Sequence, residues 1–335
     1  MGSFSELLHG GEVTADEVAR VRDVVEFEPP DLKRKLIRFW ILLVLATAIA
    51  TYGLLGDSVA TVIGAMIVAP LMLPIMGLAY GISVGDGRAI GMSLLVGAGG
   101  ILTAIGVGFV LSQVLTSSFD PEQVGQIMAR TSPNLIDMLA ALATGLAGAF
   151  AIGRKDVSDT LPGVAIAISL VPPLANVGIL LSAGRTGLAM GSLLLFVTNY
   201  LAIVLTGSLV FGLMGYPQVA FVGKSRRSKR VALALVVVMF VAILAPLGVQ
   251  SYTTWLDRTA TGTAATATER WLEGSGYSLV SVKVDDAKSA LDIVIAGSGT
   301  IPPRAELKQA LLGKVFGLDV LLEAVPSERF RIRTR

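Results

Sequence analysis

The chain has 335 residues, of which 53% are hydrophobic and only 16% charged, against roughly 25% charged in a soluble globular protein. The shortage is local, with long uncharged stretches between Ile41 and Met214, which excludes an ordinary soluble enzyme, a disordered chain and a disulfide scaffold and points to an α-helical polytopic membrane protein. A net charge of +2 argues against nucleic acid as a partner, the lack of cysteine removes disulfides and thiolate chemistry, and the single histidine, His9, cannot build a His-rich metal site or a Ser-His-Asp triad.

Seven acidic residues stand between Glu6 and Glu28, and the first 35 residues hold no apolar run of signal-peptide length. Thr14-x-x-Glu17 reads as a capping box opening a short amphipathic helix with Val18, Val21 and Val25 on one face. A spanning helix needs about 20 mostly apolar residues. Seven segments qualify: Leu36–Gly56, Ser58–Val84, Ala89–Leu115, Pro133–Gly153, Leu161–Ala183, Leu188–Met214 and Val231–Val249.

Topology follows from the short loops. With seven crossings, Lys33–Arg38, Arg88, Arg154–Lys155 and the run Lys224–Arg230 fall on one side, and only Arg130 and Arg185 on the other. The N-terminus is then cytoplasmic and the C-terminus outside, in the cell (inner) membrane. If the second and fifth segments were re-entrant, Arg154 and Lys155 would move outside and the bias would weaken, so seven crossings are preferred.

Beyond Gln250, a Thr/Ala/Gly-rich stretch reads as a linker or the start of a helix. Alternating strands at Leu279–Val284 and Leu291–Ala296, an amphipathic helix from Pro303 through Val315 ending before Gly317, and a third strand at Val320–Val325 then predict a small α+β domain.

The membrane part repeats weakly. Leu45-Ala46-Thr47 matches Leu142-Ala143-Thr144, Gly56 matches Gly153, and Arg88 matches Arg185 at one offset, while Gly64–Ile67 leading to Pro74 resembles Gly163–Ile166 leading to Pro173. Halves with three spans each enter the membrane from opposite sides, an inverted 3+3 repeat as in many secondary transporters. The expected division is a cytoplasmic N-terminal segment (1–35), a first three-helix repeat (36–115), an external loop (116–132), a second, inverted repeat (133–214), a basic cytoplasmic loop (215–230), a seventh helix (231–249) and an extracytoplasmic domain (250–335).

The second and fifth segments contain Pro70 and Pro74, and Pro172 and Pro173, near the bilayer midplane. An intrahelical proline frees the carbonyl four residues earlier, here those of Met66, Pro70, Ile168 and Ser169, and these must face protein or water. With Asn176, Thr198 and Asn199 they form the candidate solute- or ion-binding set. Ser132-Pro133 reads as the N-cap and first position of the fourth segment, which leaves Asn134 and Asp137 as possible pathway residues or, for Asp137, a helix-terminus acid or partner of Arg130. No catalytic residue, metal ligand or cofactor site is expected, because paired intramembrane acids and a nucleophile–base constellation are both missing.

The stretches Gly64–Met72, Arg130–Asp137, Leu161–Ala167, Val171–Leu174 and Leu195–Asn199, in that order, resemble the signature of a prokaryotic family, domain-of-unknown-function family 389 (DUF389), the "uncharacterised hydrophobic protein" group. The resemblance covers about residues 40–215. It implies a multi-pass inner-membrane protein and supplies no activity or site residue. The expected function is that of a small-solute or ion transporter or channel with its site at the paired broken helices. The alternative is a non-transporting membrane sensor or assembly protein acting through the C-terminal domain. Expected partners are membrane lipid, a small solute or ion, and further copies of the chain.

Overall fold

The computed structural model describes residues 13–114, 120–157, 170–220, 259–285, 290–315 and 317–326, with single positions at 234, 238, 241 and 256. The chain forms two compact units, residues 1–247 and 248–335.

In the first unit, α1 (Ala15–Val25) opens with the expected capping box between Thr14 and Glu17 and buries Val21 and Val25. Three helices follow: α2 (Leu32–Leu55), α3 (Val59–Val68) and α4 (Met72–Ser83). After a tight turn with Gly85 in the left-handed region comes α5 (Gly87–Gln113). The next segment carries a 3-10 turn, Pro121–Gln123, and a single helical turn, α6 (Gly125–Met128). Then come α7 (Leu135–Gly153), α8 (Val171–Ser182), a second turn with left-handed Gly184, α9 (Thr186–Met214) and α10 (Tyr216–Ala220).

Among the described residues, α2, α5, α7 and α9 are long and apolar enough to cross a membrane, and α3 with α4 forms a fifth candidate bent by 51°. The described residues thus hold up to five of the seven expected spans. The second segment is two half-helices, and the described part of the fifth is one short helix. Residues 158–169, most of the seventh segment and residues 221–230 of the basic loop lie outside the described residues.

The packing is reciprocal. α4 lies against α5 and α9, and α8 lies against α9 and α5. Contacts recur under a shift of 99 residues, which carries Met72–Ser83 onto Val171–Ser182, Pro74 onto Pro173 and Gly85 onto Gly184. A Cβ at Gly108 would stand 2.6 Å from the Ala175 carbonyl, and one at Gly207 would stand 3.4 Å from Met76 Sδ. These are the same pair with the halves exchanged. The Arg88–Arg185 match read from the sequence is thus two residues out of register, because the glycine turns rather than the arginines occupy equivalent places.

One end of the unit is closed by an aromatic trio, Tyr80, Phe211 and Tyr216, packed edge to face with centroids 5.6–6.0 Å apart.

In the second unit a helix over residues 259–271, labelled α11, precedes β1 (Tyr277–Asp285), β2 (Ala290–Gly297), α12 (Arg304–Leu311) and β3 (Asp319–Pro326). The sheet order is β1-β2-β3, with β1 antiparallel to β2 and β3 parallel to β2 through the α12 crossover. Leu291, Ile293 and Ile295 on one face of β2 meet Leu307 and Leu311 of α12 in the core. α12 stops at Leu311, short of the expected Val315, where left-handed Gly313 turns the chain away.

The close crossing of α5 and α8 gives a stability test. A Cβ at Gly178 would strike the Ile105 carbonyl, whereas one at Gly64 would meet nothing within 4 Å. Gly178→Val should cost about 3 kcal/mol or more. Gly64→Ala should stabilise by up to about 1 kcal/mol. Thermal unfolding in detergent checks both.

Candidate functional site

The bend between α3 and α4 is local backbone chemistry. Ala69, which precedes Pro70, is extended (φ −65°, ψ 127°), as the proline ring demands of its predecessor, and its N–H still donates to the Ala65 carbonyl at 3.1 Å. The chain re-enters a helix at Met72. Pro70, Pro74 and Met66 are buried. The carbonyl of Pro70, expected to be released by Pro74, instead accepts the Leu73 N–H at 3.2 Å. The reason is that Pro74 is the third residue of α4. In a first turn the backbone N–H has no intrahelical acceptor, so a proline there releases nothing. Pro172 and Pro173 likewise are the second and third residues of α8. The prolines therefore begin half-helices rather than interrupt whole ones. Ile168 and Ser169 lie outside the described residues.

Asn199 is 3% exposed on α9, and its Oδ1 has no hydrogen-bond partner. It sits 13 residues into the helix, about 20 Å at 1.5 Å per residue, which is midway along α9. Thr198 beside it is buried, with its hydroxyl turned back onto the Leu194 and Leu195 carbonyls at 2.9 and 3.0 Å. It contributes acceptor capacity only.

Asn176 is fully buried but nearer the turn at Gly184, where it serves the packing. Its Nδ2 donates to the Ile127 carbonyl at 3.1 Å and to Ser192 Oγ at 2.8 Å, and Ser192 donates onward to the Arg130 carbonyl at 2.9 Å. Two backbone carbonyls end this chain of donors, which fixes the orientation of the amide. Its Oδ1 then faces no donor. The network ties the segment before α7 to α8 and α9. Its counterpart 99 residues earlier is apolar: Gly77 approaches Ser93 and the Val25 carbonyl so closely that a Cβ would stand 2.7 and 2.6 Å from their oxygens.

Asn134, rather than Ser132, caps α7. Its Oδ1 accepts from Ile136 and Asp137 N–H at 2.9 and 3.1 Å, and Asp137 Oδ2 accepts from the Asn134 N–H at 3.2 Å. This is a capping box at an exposed helix start. Arg130, which donates to the backbone and side chain of Gln126, is held below the usual guanidinium range by burial, against the opposing pull of Asp137.

Sequence reasoning did not reach a polar cluster beneath α1. Arg20 Nη2 and the Tyr216 hydroxyl both donate to the Gly153 carbonyl, at 3.0 and 2.8 Å. Arg22 pairs with Glu26 at 3.0 Å, and Glu26 is 4% exposed with Oε1 unpartnered. The Tyr80 hydroxyl on α4 is also buried without a partner. Burial pushes the Glu26 carboxyl above the ordinary range, and Arg22 offsets this only in part. Nothing in the local sequence marks Glu26, because its burial depends on α1 docking against α4. Beside the cluster a cavity of about 310 Å³ is lined by Asp23, Glu26, Arg34, Lys35 and Arg38, and reaches Leu73 just past the bend.

Among the described residues no group of three or more His, Cys, Asp or Glu is placed to hold a metal ion. The bent helix, the reciprocal half-helix and the long apolar helices define a helical membrane protein. Residues 66–205 match the family described as "Domain of unknown function (DUF389)", so the resemblance carried by the five motifs is borne out. A protein of Methanocaldococcus jannaschii described as uncharacterised is 31% identical over 205 residues. That match covers 61% of this chain and 63%, less than two thirds, of the archaeal protein. No solved structure matches.

Two measurements test this reading of the polar contacts. Asn176→Ala strands the Ile127 carbonyl and removes a donor to Ser192, so unfolding in detergent should cost about 1–3 kcal/mol less than for the parent chain. For Glu26, a folded-state value above the unfolded one means the protonated form favours the fold. Its contribution to stability is full at low pH and is lost as pH rises from about 4.3 through the raised folded value. Glu26→Gln should therefore gain stability relative to the parent as pH increases over that window, read as the difference in Tm.

Proposed function

We propose that the protein is a small-solute or ion transporter or channel of a bacterial or archaeal cell membrane, without enzymatic chemistry. In this reading the first unit is an inverted repeat of two three-span halves, with the N-terminus cytoplasmic and the second unit outside. What supports the repeat is the set of contacts that recur with exchanged halves 99 residues apart. Half-helices at equivalent places in two inverted halves are the arrangement secondary transporters use to expose backbone polarity to a solute.

The observation that carries the proposal is the buried, unpartnered Oδ1 of Asn199 at mid-depth in α9. Its counterpart 99 residues earlier is Gly100, where a Cβ would stand 3.0 Å from Leu71 at the bend. In this reading the same relation sets Asn199 opposite Leu170, the residue before α8, at the second half's own break. An orphaned acceptor in an apolar bundle costs about 1–3 kcal/mol. It is the kind of cost kept where a site needs it. An acceptor without a donor suits a cation or an N–H-bearing solute better than an anion. The charged cavity that reaches Leu73 supplies an approach from the α1 side.

The same observation separates a site from plain packing. Purified protein in liposomes is challenged with a panel of monovalent cations and small ammonium solutes, with flux followed by stopped-flow light scattering. The parent chain should move at least one of them faster than empty liposomes. Asn199→Leu should lose about tenfold or more of that flux while its Tm stays equal or rises. Unchanged flux in Asn199→Leu would sink the assignment of this residue, and no flux across the panel would sink cation transport.

A second reading has an observation of its own. In the C-terminal unit a groove of about 500 Å³ lies between α12 and β3, floored by Leu307, Leu311, Leu318 and Leu322. A sensor or assembly protein would work through such a surface. Deletion of residues 260–335 should leave residual flux in a transporter, whereas a sensor loses its response.

A further inference from the structure

The outward face of the first long helix carries a groove separate from the charged cavity, with which it shares Arg34 and Arg38. About 590 Å³ in size, it is lined by Pro30, Lys33, Arg34, Ile37, Arg38, Ile41 and Leu42. Its upper end is cationic. Lys33 and Arg38 have no ion-pair partner among the described residues, and Arg34 meets Asp31 only at 3.9 Å with its side chain 87% exposed. Its lower end is apolar and uncovered. Ile37, Ile41, Val44 and Leu45 are each 41–56% exposed and follow one another at helical spacing down α2. Cations above an apolar stripe, on a helix fit to cross a membrane, fit neither a free phosphate nor a soluble peptide.

We infer that this groove is a binding site for a net-anionic phospholipid, its headgroup phosphate held by Lys33, Arg34 and Arg38 and one acyl chain lying along Ile37, Ile41 and Leu45. The inference rests on α2 being a membrane span and is independent of transport. Charge selects the occupant. A zwitterionic lipid carries its own cation and leaves three protein cations uncompensated, whereas phosphatidylglycerol brings an unneutralised phosphate. The apolar stripe makes the contact specific to a lipid rather than to any anion, because the chain covers surface that water would otherwise meet where the helix enters the bilayer. The long basic side chains reach the headgroup level while their stems stay on the helix face.

The lack of native cysteine allows a direct test. Val44→Cys is labelled with bimane in the full chain, in nanodiscs of phosphatidylcholine with one-tenth phosphatidylglycerol. Either lipid is supplied in brominated, quenching form. A second variant, Leu102→Cys, reports an exposed position on α5. At Val44 brominated phosphatidylglycerol should quench as if enriched about tenfold over its bulk fraction. That enrichment should fall to the bulk level in K33Q/R34Q/R38Q and in 0.5 M NaCl, and persist in K33R/R34K/R38K. At Leu102 no enrichment is expected in any variant, and normal quenching there verifies that the triple variant is folded and embedded. Quenching at Val44 by the two lipids in proportion to their bulk fractions overturns the proposal. So does enrichment that survives in K33Q/R34Q/R38Q. Quenching by neither lipid at Val44 would mean that another protein surface covers the face, and overturns it as well.

Discussion

Every backbone polar group inside a bilayer must be satisfied by protein or enclosed water, and the rest of this structure follows from how that constraint is met at one place. Between Val68 and Met72 the helix stops and restarts at an angle of 51°. Such a break is tolerated only where lipid cannot reach it. The fold meets that condition by burying the whole of α4 from Pro74 to Ile82 between α5 and α9. α8, buried from Val171 to Leu180, is enclosed by the same pair of long helices with their roles exchanged. The glycines at 108, 178 and 207 are what let these backbones approach. In lipid, where apolar surfaces gain little from meeting each other, close approach of small residues supplies much of the association energy.

The two halves share this scaffold but not its chemistry. Where the second half has Asn176 and Asn199, the first has Gly77 and Gly100. Where Ser112 of α5 bonds Ser182 of α8 at 2.6 Å, the pair related by the same shift is Phe211 and Ser83, and the Ser83 hydroxyl is left buried without a partner. The packing contacts that recur at this spacing are therefore alike, and the polar groups at the matching positions are not. The segments that cover the two half-helices differ in the same way. α1 brings Val25 over Gly77 through van der Waals contact, whereas the segment around Ile127 is bound through the Asn176 amide. Both half-helices are thus covered, one by a helix rich in ion pairs and the other by a hydrogen-bonded loop.

The five motif stretches and the prolines could be read without a structure, but the role given to the prolines could not. An internal proline and a first-turn proline look alike in sequence. Which applies depends on where the helix begins, and Ala69 and Leu71 decide that through backbone conformation. Asp137 shows the same limit. Its distance from Asn134 suits a capping box as well as a pathway, and only the 3.2 Å bond to the Asn134 N–H separates them. Asn176 and Asn199 look equally like midplane amides in the chain. Both keep an unpartnered Oδ1, but the Nδ2 of Asn176 is committed to the Ile127 carbonyl and Ser192, which ties that amide to the packing.

The sequence by itself determined that this is a membrane protein with long apolar helices, a capped N-terminal helix, half-helices near the second and fifth segments, and a C-terminal unit of two strands, a helix and a third strand. Each of these is set by local composition, periodicity or capping within a few turns of chain. Tertiary structure alone decided the register of the recurring contacts, the burial of Glu26 and Tyr80 beneath α1, the network that commits Asn176, and the orphaned oxygen of Asn199. Those depend on which backbones touch between segments far apart in the chain, and no residue type or spacing specifies such contacts until the helices have packed.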